Sequence, residues 1–249
     1  MSVLQDLLIT NKRVLAKTIP ALKNNPMLLV VGVPYGAVFI LGTIIAGMAG
    51  FFGGIIMIIL QSAIASDYLS LINKIIHGHR VSTNDIRGGF KTYLSSVWSL
   101  LFLLYFINLA LGMFLGPLNM ATGGLLFLII NMFVYIMFSA MPEVIYQKYL
   151  DRGDMVIYGI NFVKENAVQW ILPNLFLMAV IYGVYSGLLS VISPIFGIGM
   201  TGVALSSVLS IIVTQGLIAF AMLYRGFLFD ILSNSTMRKR LFMRHMYKD

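Results

Sequence analysis

Two histidines flank a glycine at His77-Gly78-His79, and Asp85 follows six residues later. Imidazole and carboxylate are suitable ligands for a metal ion. At the end of an apolar run, however, two histidines beside a glycine fit better as solvated loop residues that complement a helix C-terminal dipole. No metal or other cofactor is therefore expected. The amides within the apolar runs are Gln61, Asn108, Asn131, Asn174 and Gln215. They serve either as interhelical hydrogen-bonding groups or as a substrate pathway, the first being the simpler reading. Gln61 and Gln215 are the stronger pathway candidates, because each lies near the middle of its apolar run. The chain has no Gly-x-Ser-x-Gly elbow, no His-Glu-x-x-His, no phosphate-binding Gly-rich loop and no magnesium-binding aspartate cluster. With no cysteine, thiolate metal sites, disulfides and cysteine nucleophiles are also absent. Catalysis is not expected.

What must position these residues is a membrane. The 249 residues are 59% hydrophobic and 10% charged, with a mean hydropathy of +0.91, whereas soluble domains are about 25% charged. Every Lys, Arg, Asp, Glu and His falls in one of four windows, 1–23, 67–91, 143–165 and 225–249, which leaves uncharged stretches of 43, 51 and 59 residues. A bilayer core takes roughly 20 helical residues to cross, so each stretch holds two crossings and a turn. The expected fold is an all-α polytopic membrane protein with six transmembrane helices, arranged as three helical hairpins joined by cytoplasmic amphipathic connectors. The apolar runs are Met27 to Met48, Gly54 to Ala65, Tyr93 to Leu115, Leu125 to Met141, Trp170 to Ile192 and Val203 to Tyr224.

Entering and leaving each hairpin on one side places all four charged windows on the same face. Their net charges are +3, +2, −1 and +4, so the positive-inside rule makes that face cytoplasmic and both termini with it. The same rule accounts for the basic balance without nucleic acid. The first 23 residues lack an apolar core of roughly 7–15 residues ahead of a small-residue cleavage site, so the N-terminus is expected to be retained. Opposite the charged face, "GMAGFFGG", "GPLNMATGG" and "SPIFGIGMTG" are short, uncharged turns. The third hairpin exceeds two crossings by roughly 15 residues, a surplus expected to form a short external or re-entrant segment around "VISPIFGIGMTG".

The chain reads as a single transmembrane domain, 1–249, with repeat units 1–80, 81–153 and 154–249. His77-Gly78 aligns with Arg152-Gly153, and Phe90 and Trp98 align with Phe162 and Trp170. In each unit the even helix is expected to run past the membrane to a Gly or Asn stop. A new helix then starts and climbs into the next span. Ser82 and Asp85 fit a capping box, and Ile86, Phe90, Tyr93, Leu94 and Val97 fall on one side at helical spacing. Phe90, Trp98, Phe162 and Trp170 are the expected interface anchors. The stripe weakens in 154–166, where Asp154 and Glu165 are the expected partner-facing residues and 83–94 the anchor. Pro34 and Pro173 should kink their spans. Glycine pairs at 32/36, 50/54, 112/116 and 183/187 suit close helix approach within the chain, or alternatively a dimer face.

These uncharged helix pairs with "IIHGHRVSTNDIRGGF"-type connectors resemble a group of bacterial inner-membrane proteins. Their repeat is shared with the membrane domain of some glycerophosphodiester phosphodiesterases. The resemblance implies fold and location in the inner (plasma) membrane. The catalytic phosphodiesterase domain is not in this chain. The reading is a non-enzymatic subunit or accessory factor of an envelope or transport process, in contact with membrane lipids and with a protein partner at the cytoplasmic face, an ATPase or an envelope complex. Alternatives are the membrane-spanning permease subunit of an ABC transporter and an intramembrane lipid-modifying enzyme.

Overall fold

The computed structural model describes residues 3–196, 200–235 and 240. Among them are eleven α-helices, one 3-10 turn and no strand. In order they are α1 (Val3–Lys23), α2 (Met27–Val30), α3 (Gly32–Met48), the turn Gly50–Phe52, α4 (Gly53–Ile76), α5 (Thr83–Gly89) and α6 (Leu94–Ala121). There follow α7 (Leu125–Phe138), α8 (Met141–Gln147), α9 (Arg152–Glu165), α10 (Ala167–Phe196) and α11 (Met200–Asn234). Six segments are long and apolar enough to cross a bilayer: Met27–Met48, Gly53–Ile76, Leu94–Gly116, Leu125–Gln147, Ala167–Val191 and Thr214–Asn234. Only 6% of the best window in Leu94–Gly116 is buried, yet its outer face carries Phe106, Leu109, Met113 and Phe114. An apolar exterior of this kind is stable only in hydrocarbon. The protein is an all-α, multi-pass integral membrane protein.

Local chemistry explains the helix ends. α4 runs eleven residues beyond Ala65 and stops at Gly78, whose φ is +82°. There the Gly78 N–H donates to Ile75 O at 3.0 Å and the His79 N–H to Lys74 O at 2.9 Å. This pair of bonds closes the terminal carbonyls around a left-handed residue, a conformation that glycine adopts without steric cost. Gly153, aligned with Gly78 by sequence, instead lies in the first turn of α9. The first span is interrupted at Val31, between α2 and α3. Pro34 supplies the cause, since its ring crowds the Val30 carbonyl four residues earlier and it has no N–H to offer. α10, by contrast, continues through Pro173.

The chain falls into two compact units. The first comprises Met1–Ala37, Ile72–Thr83 and Val168–Asp249. In it α1 and α2 pack on α11, burying Val14, Leu28, Trp170, Leu223, Leu228 and Phe229. The second comprises Val38–Leu71 and Asn84–Ala167. There α6 packs on α7 and α8, and α9 on α7 and α8, with Met141, Val144, Tyr146, Phe162 and Val163 in the core. Gly159 of α9 is in close contact with α8, because a Cβ there would overlap the Met141 side chain.

Three expectations are corrected. The surplus length of the third hairpin is taken up by longer helices, since the backbone is helical to Phe196 and again from Met200; residues 197–199 of "VISPIFGIGMTG" lie outside the described residues. The first connector is not one helix rising into the membrane: α5 ends at Gly89 and α6 begins at Leu94. Finally, Gly36, Gly50, Gly54, Gly112, Gly116, Gly183 and Gly187 have nothing near the position of a Cβ, so they do not mark packing within the chain. Gly32 does, because a Cβ there would overlap the Gln215 carboxamide.

Candidate functional site

α1 is the element that sequence reasoning passed over as merely charged. It is a 21-residue amphipathic helix outside the six spans. Residues four apart, Asp6, Thr10, Val14 and Thr18, form its buried ridge, the spacing that keeps side chains on one helix face. Thr18 donates its hydroxyl back to Val14 O at 2.9 Å, which removes the cost of burying it.

Asp6 is the centre of a buried polar cluster. Arg240 Nη2 lies 3.0 Å from Asp6 Oδ2, with side-chain exposures of 9% and 5%. Arg240 Nε donates to the same carboxylate at 3.3 Å, and Gln169 Nε2 of α10 donates to Oδ2 at 3.2 Å. Arg240 Nη1 donates to the Ser235 carbonyl. One carboxylate thus joins α1, α10 and the segment beyond α11. One turn along, the Tyr224 hydroxyl donates to Asn11 Oδ1 at 2.5 Å. At the far end of α1, Asn25 Nδ2 donates to Ala21 O at 2.9 Å, while its Oδ1 accepts the Val81 N–H at 2.9 Å. Asn25 therefore caps α1 and fixes the loop after α4.

Trp170, expected at the headgroup level, is fully buried. Its ring meets Phe229 edge-on at 6.1 Å, and the Arg225 guanidinium sits 5.3 Å from its centroid, an attractive cation–π geometry. Phe162 is also buried. Neither acts as an interface anchor. Phe90 and Trp98 are half-buried, and Trp98 stacks on Phe102 at 4.9 Å.

In the second unit one serine organises the first connector. Ser66, fully buried on α4, donates to Gly89 O at 3.0 Å and accepts the Tyr93 N–H at 2.9 Å. The break between α5 and α6 frees the Tyr93 amide, which this hydroxyl satisfies, while its own proton gives the Gly89 carbonyl a second donor beside the Thr92 N–H at 3.1 Å. Gly89 must lack a side chain, since a Cβ there would strike Asp67. Asp67 and Glu143 are both fully buried, although each is the first residue of a charged window. Ser66, Asp67 and Glu143 were missed because nothing in their spacing sets them apart from their neighbours.

The amides behave differently from the expectation of interhelical bonding. Asn108 Nδ2 donates to Leu104 O at 2.9 Å, Asn131 Nδ2 to Phe127 O at 2.8 Å and Asn174 Nδ2 to Trp170 O at 2.6 Å, each within its own helix. Asn174 Oδ1 is buried without a partner among the described residues. Gln61 is exposed on α4, whereas Gln215 is buried against Gly32. His77 Nδ1 lies 2.8 Å from Asn73 O, a local bond to the end of its own helix, and His79 is exposed. Among the described residues no three His, Asp or Glu side chains are grouped so as to hold a metal.

Asp154 and Glu165 are exposed on α9, whose other face buries Met155, Gly159, Phe162 and Val163. Around them Tyr149, Leu150 and Ile157 are also exposed, at 86%, 40% and 61%. Fold and polar placement together define a multi-pass membrane protein with an amphipathic N-terminal helix clamped to its last span. Comparison with known proteins finds no matching family model, no matching characterised protein and no matching solved structure.

Proposed function

We propose that the protein is a non-enzymatic subunit or accessory factor of an envelope or transport process in the inner membrane, with both termini cytoplasmic and α9 as its partner-binding element. The same reading groups it with the six-helix bacterial inner-membrane proteins it resembles. The observation that carries it is the outer face of α9 and the turn before it. Tyr149, Leu150 and Ile157 are exposed there in a segment rimmed by Asp151, Asp154 and Glu165. Aromatic and aliphatic groups encircled by charge are the composition of a protein interface. This helix lies outside the six spans, and the acids around its exposed apolar groups, Asp151, Asp154 and Glu165, disfavour an anionic lipid surface as their cover.

The test is affinity purification from native membranes with a photo-crosslinker at Ile157. A specific partner should be captured, and Tyr149→Ala or Asp154→Arg should release it. Charge reversal at Lys91 in the first connector should leave it bound. Capture of an ATPase would assign the chain as the permease subunit of an ABC transporter. Recovery of no partner, or release by the Lys91 variant alone, would overturn the assignment of α9.

A further inference from the structure

Within the first unit, α1, α10 and α11 enclose a cleft of about 540 Å³, within the range of small-ligand pockets, roughly 300–1,000 Å³. Leu15 of α1, Phe176, Leu177 and Val180 of α10, and Leu217 and Phe220 of α11 make up much of its wall. Asn11 and Tyr224 also line it, but the Tyr224 hydroxyl and Asn11 Oδ1 are engaged with each other. The cleft therefore suits a hydrocarbon chain. Its α10 and α11 walls belong to the spans Ala167–Val191 and Thr214–Asn234, so lipid tails are the available occupant. Apolar walls do not select among lipids, because every tail is as apolar as leucine. Selection must come from the end at which α1 lies.

That end is basic. α1 exposes Leu4, Leu8, Leu15 and Ile19, at 68%, 62%, 39% and 47%, in a stripe at helical spacing. Lys12 and Lys23 each follow a stripe residue, Leu8 and Ile19, by one helical turn. An amphipathic helix with lysines bordering an exposed apolar stripe settles at the boundary between headgroups and acyl chains. Lys12, Arg13, Lys17 and Lys23 are all exposed, while the only acid of α1, Asp6, is already paired with Arg240. The outward charge of α1 is consequently all positive. Leu15 belongs both to the stripe and to the cleft wall, and Lys12 is one turn away from it.

We propose that this cleft is a binding site for an anionic phospholipid, with one acyl chain between α1, α10 and α11 and the phosphate held by the cationic face of α1, Lys12 foremost. The site depends on membrane residence alone and is independent of the role proposed for α9.

The test uses the full chain reconstituted in vesicles of equal parts phosphatidylglycerol and phosphatidylcholine, then released and weighed by native mass spectrometry. A retained phosphatidylglycerol is expected on the intact protein. Val180→Trp, which fills the cleft, should abolish retention. Lys12→Glu, at an exposed position, should lower the preference for phosphatidylglycerol about fivefold or more. Equal retention of both lipids, or unchanged retention in Val180→Trp, would overturn the proposal. So would loss of self-association rather than of lipid in that variant, which would assign the cleft to a second copy of the chain. If Val180→Trp loses helical circular dichroism, Lys12→Glu decides alone, and an unchanged headgroup preference refutes the site.

Discussion

The Asp6–Arg240 pair joins residues 234 positions apart, and its removal should free α1 from the rest of its unit. Both side chains are more than nine-tenths buried. In such a setting, deleting one partner strands a desolvated charge and costs about 3–5 kcal/mol, whereas replacing both with apolar groups is close to neutral. Arg240 keeps its bond to the Ser235 carbonyl, which places Asp6→Leu at the lower end, about 3 kcal/mol. That corresponds to a roughly 150-fold rise in the opening equilibrium of α1. Arg240→Met should behave similarly. The double variant should recover most of the loss, short by about 1 kcal/mol because Gln169 has lost its acceptor. The assay is hydrogen–deuterium exchange of the α1 amides in nanodiscs, which reads local opening directly. A buried pair is also little affected by salt. If the single-variant effects simply added in the double variant, or if each were under about 1 kcal/mol and vanished in high salt as for a surface pair, the clamp would be refuted.

Ser66→Ala leaves the Tyr93 amide without its acceptor and the Gly89 carbonyl with the Thr92 N–H alone and should cost about 1–3 kcal/mol in detergent unfolding. Ser95→Ala, which loses only an exposed bond from Arg152, should cost under about 1 kcal/mol, and equal effects would remove Ser66 from its central role. Gly32→Val should lower the unfolding temperature, by displacing Gln215 at a cost of about 1–3 kcal/mol, whereas Gly36→Val faces open space and should leave it unchanged. Because the chain has no cysteine, single cysteines at Ser82, Asp154 and Thr122 test the proposed orientation. An impermeant thiol reagent added outside intact cells should label only the one at Thr122, and the reverse pattern would invert the topology.

Much of this architecture follows from the linear order of charged and uncharged residues. Charge is costly in hydrocarbon, so the four charged windows and the three apolar stretches between them determine six spans. Local stereochemistry is also informative: Gly78 ends α4 because it takes a left-handed conformation at no steric cost, and the ring and missing N–H of Pro34 break the first span, although α10 continues through Pro173. What the sequence could not decide is which face of each span looks inward. In a soluble helix the buried face is the apolar one, but lipid makes both faces apolar and erases that period. Hence Trp98 and Trp170, alike in sequence context, end half-buried and fully buried, and seven paired glycines face open space while Gly32 packs on Gln215. The polar cluster at Asp6, the Ser66 bridge and the cleft beside α1 each join segments far apart in the chain. Only the folded helices bring them within hydrogen-bonding or van der Waals reach, because local periodicity carries no information about which distant helix will be the neighbour.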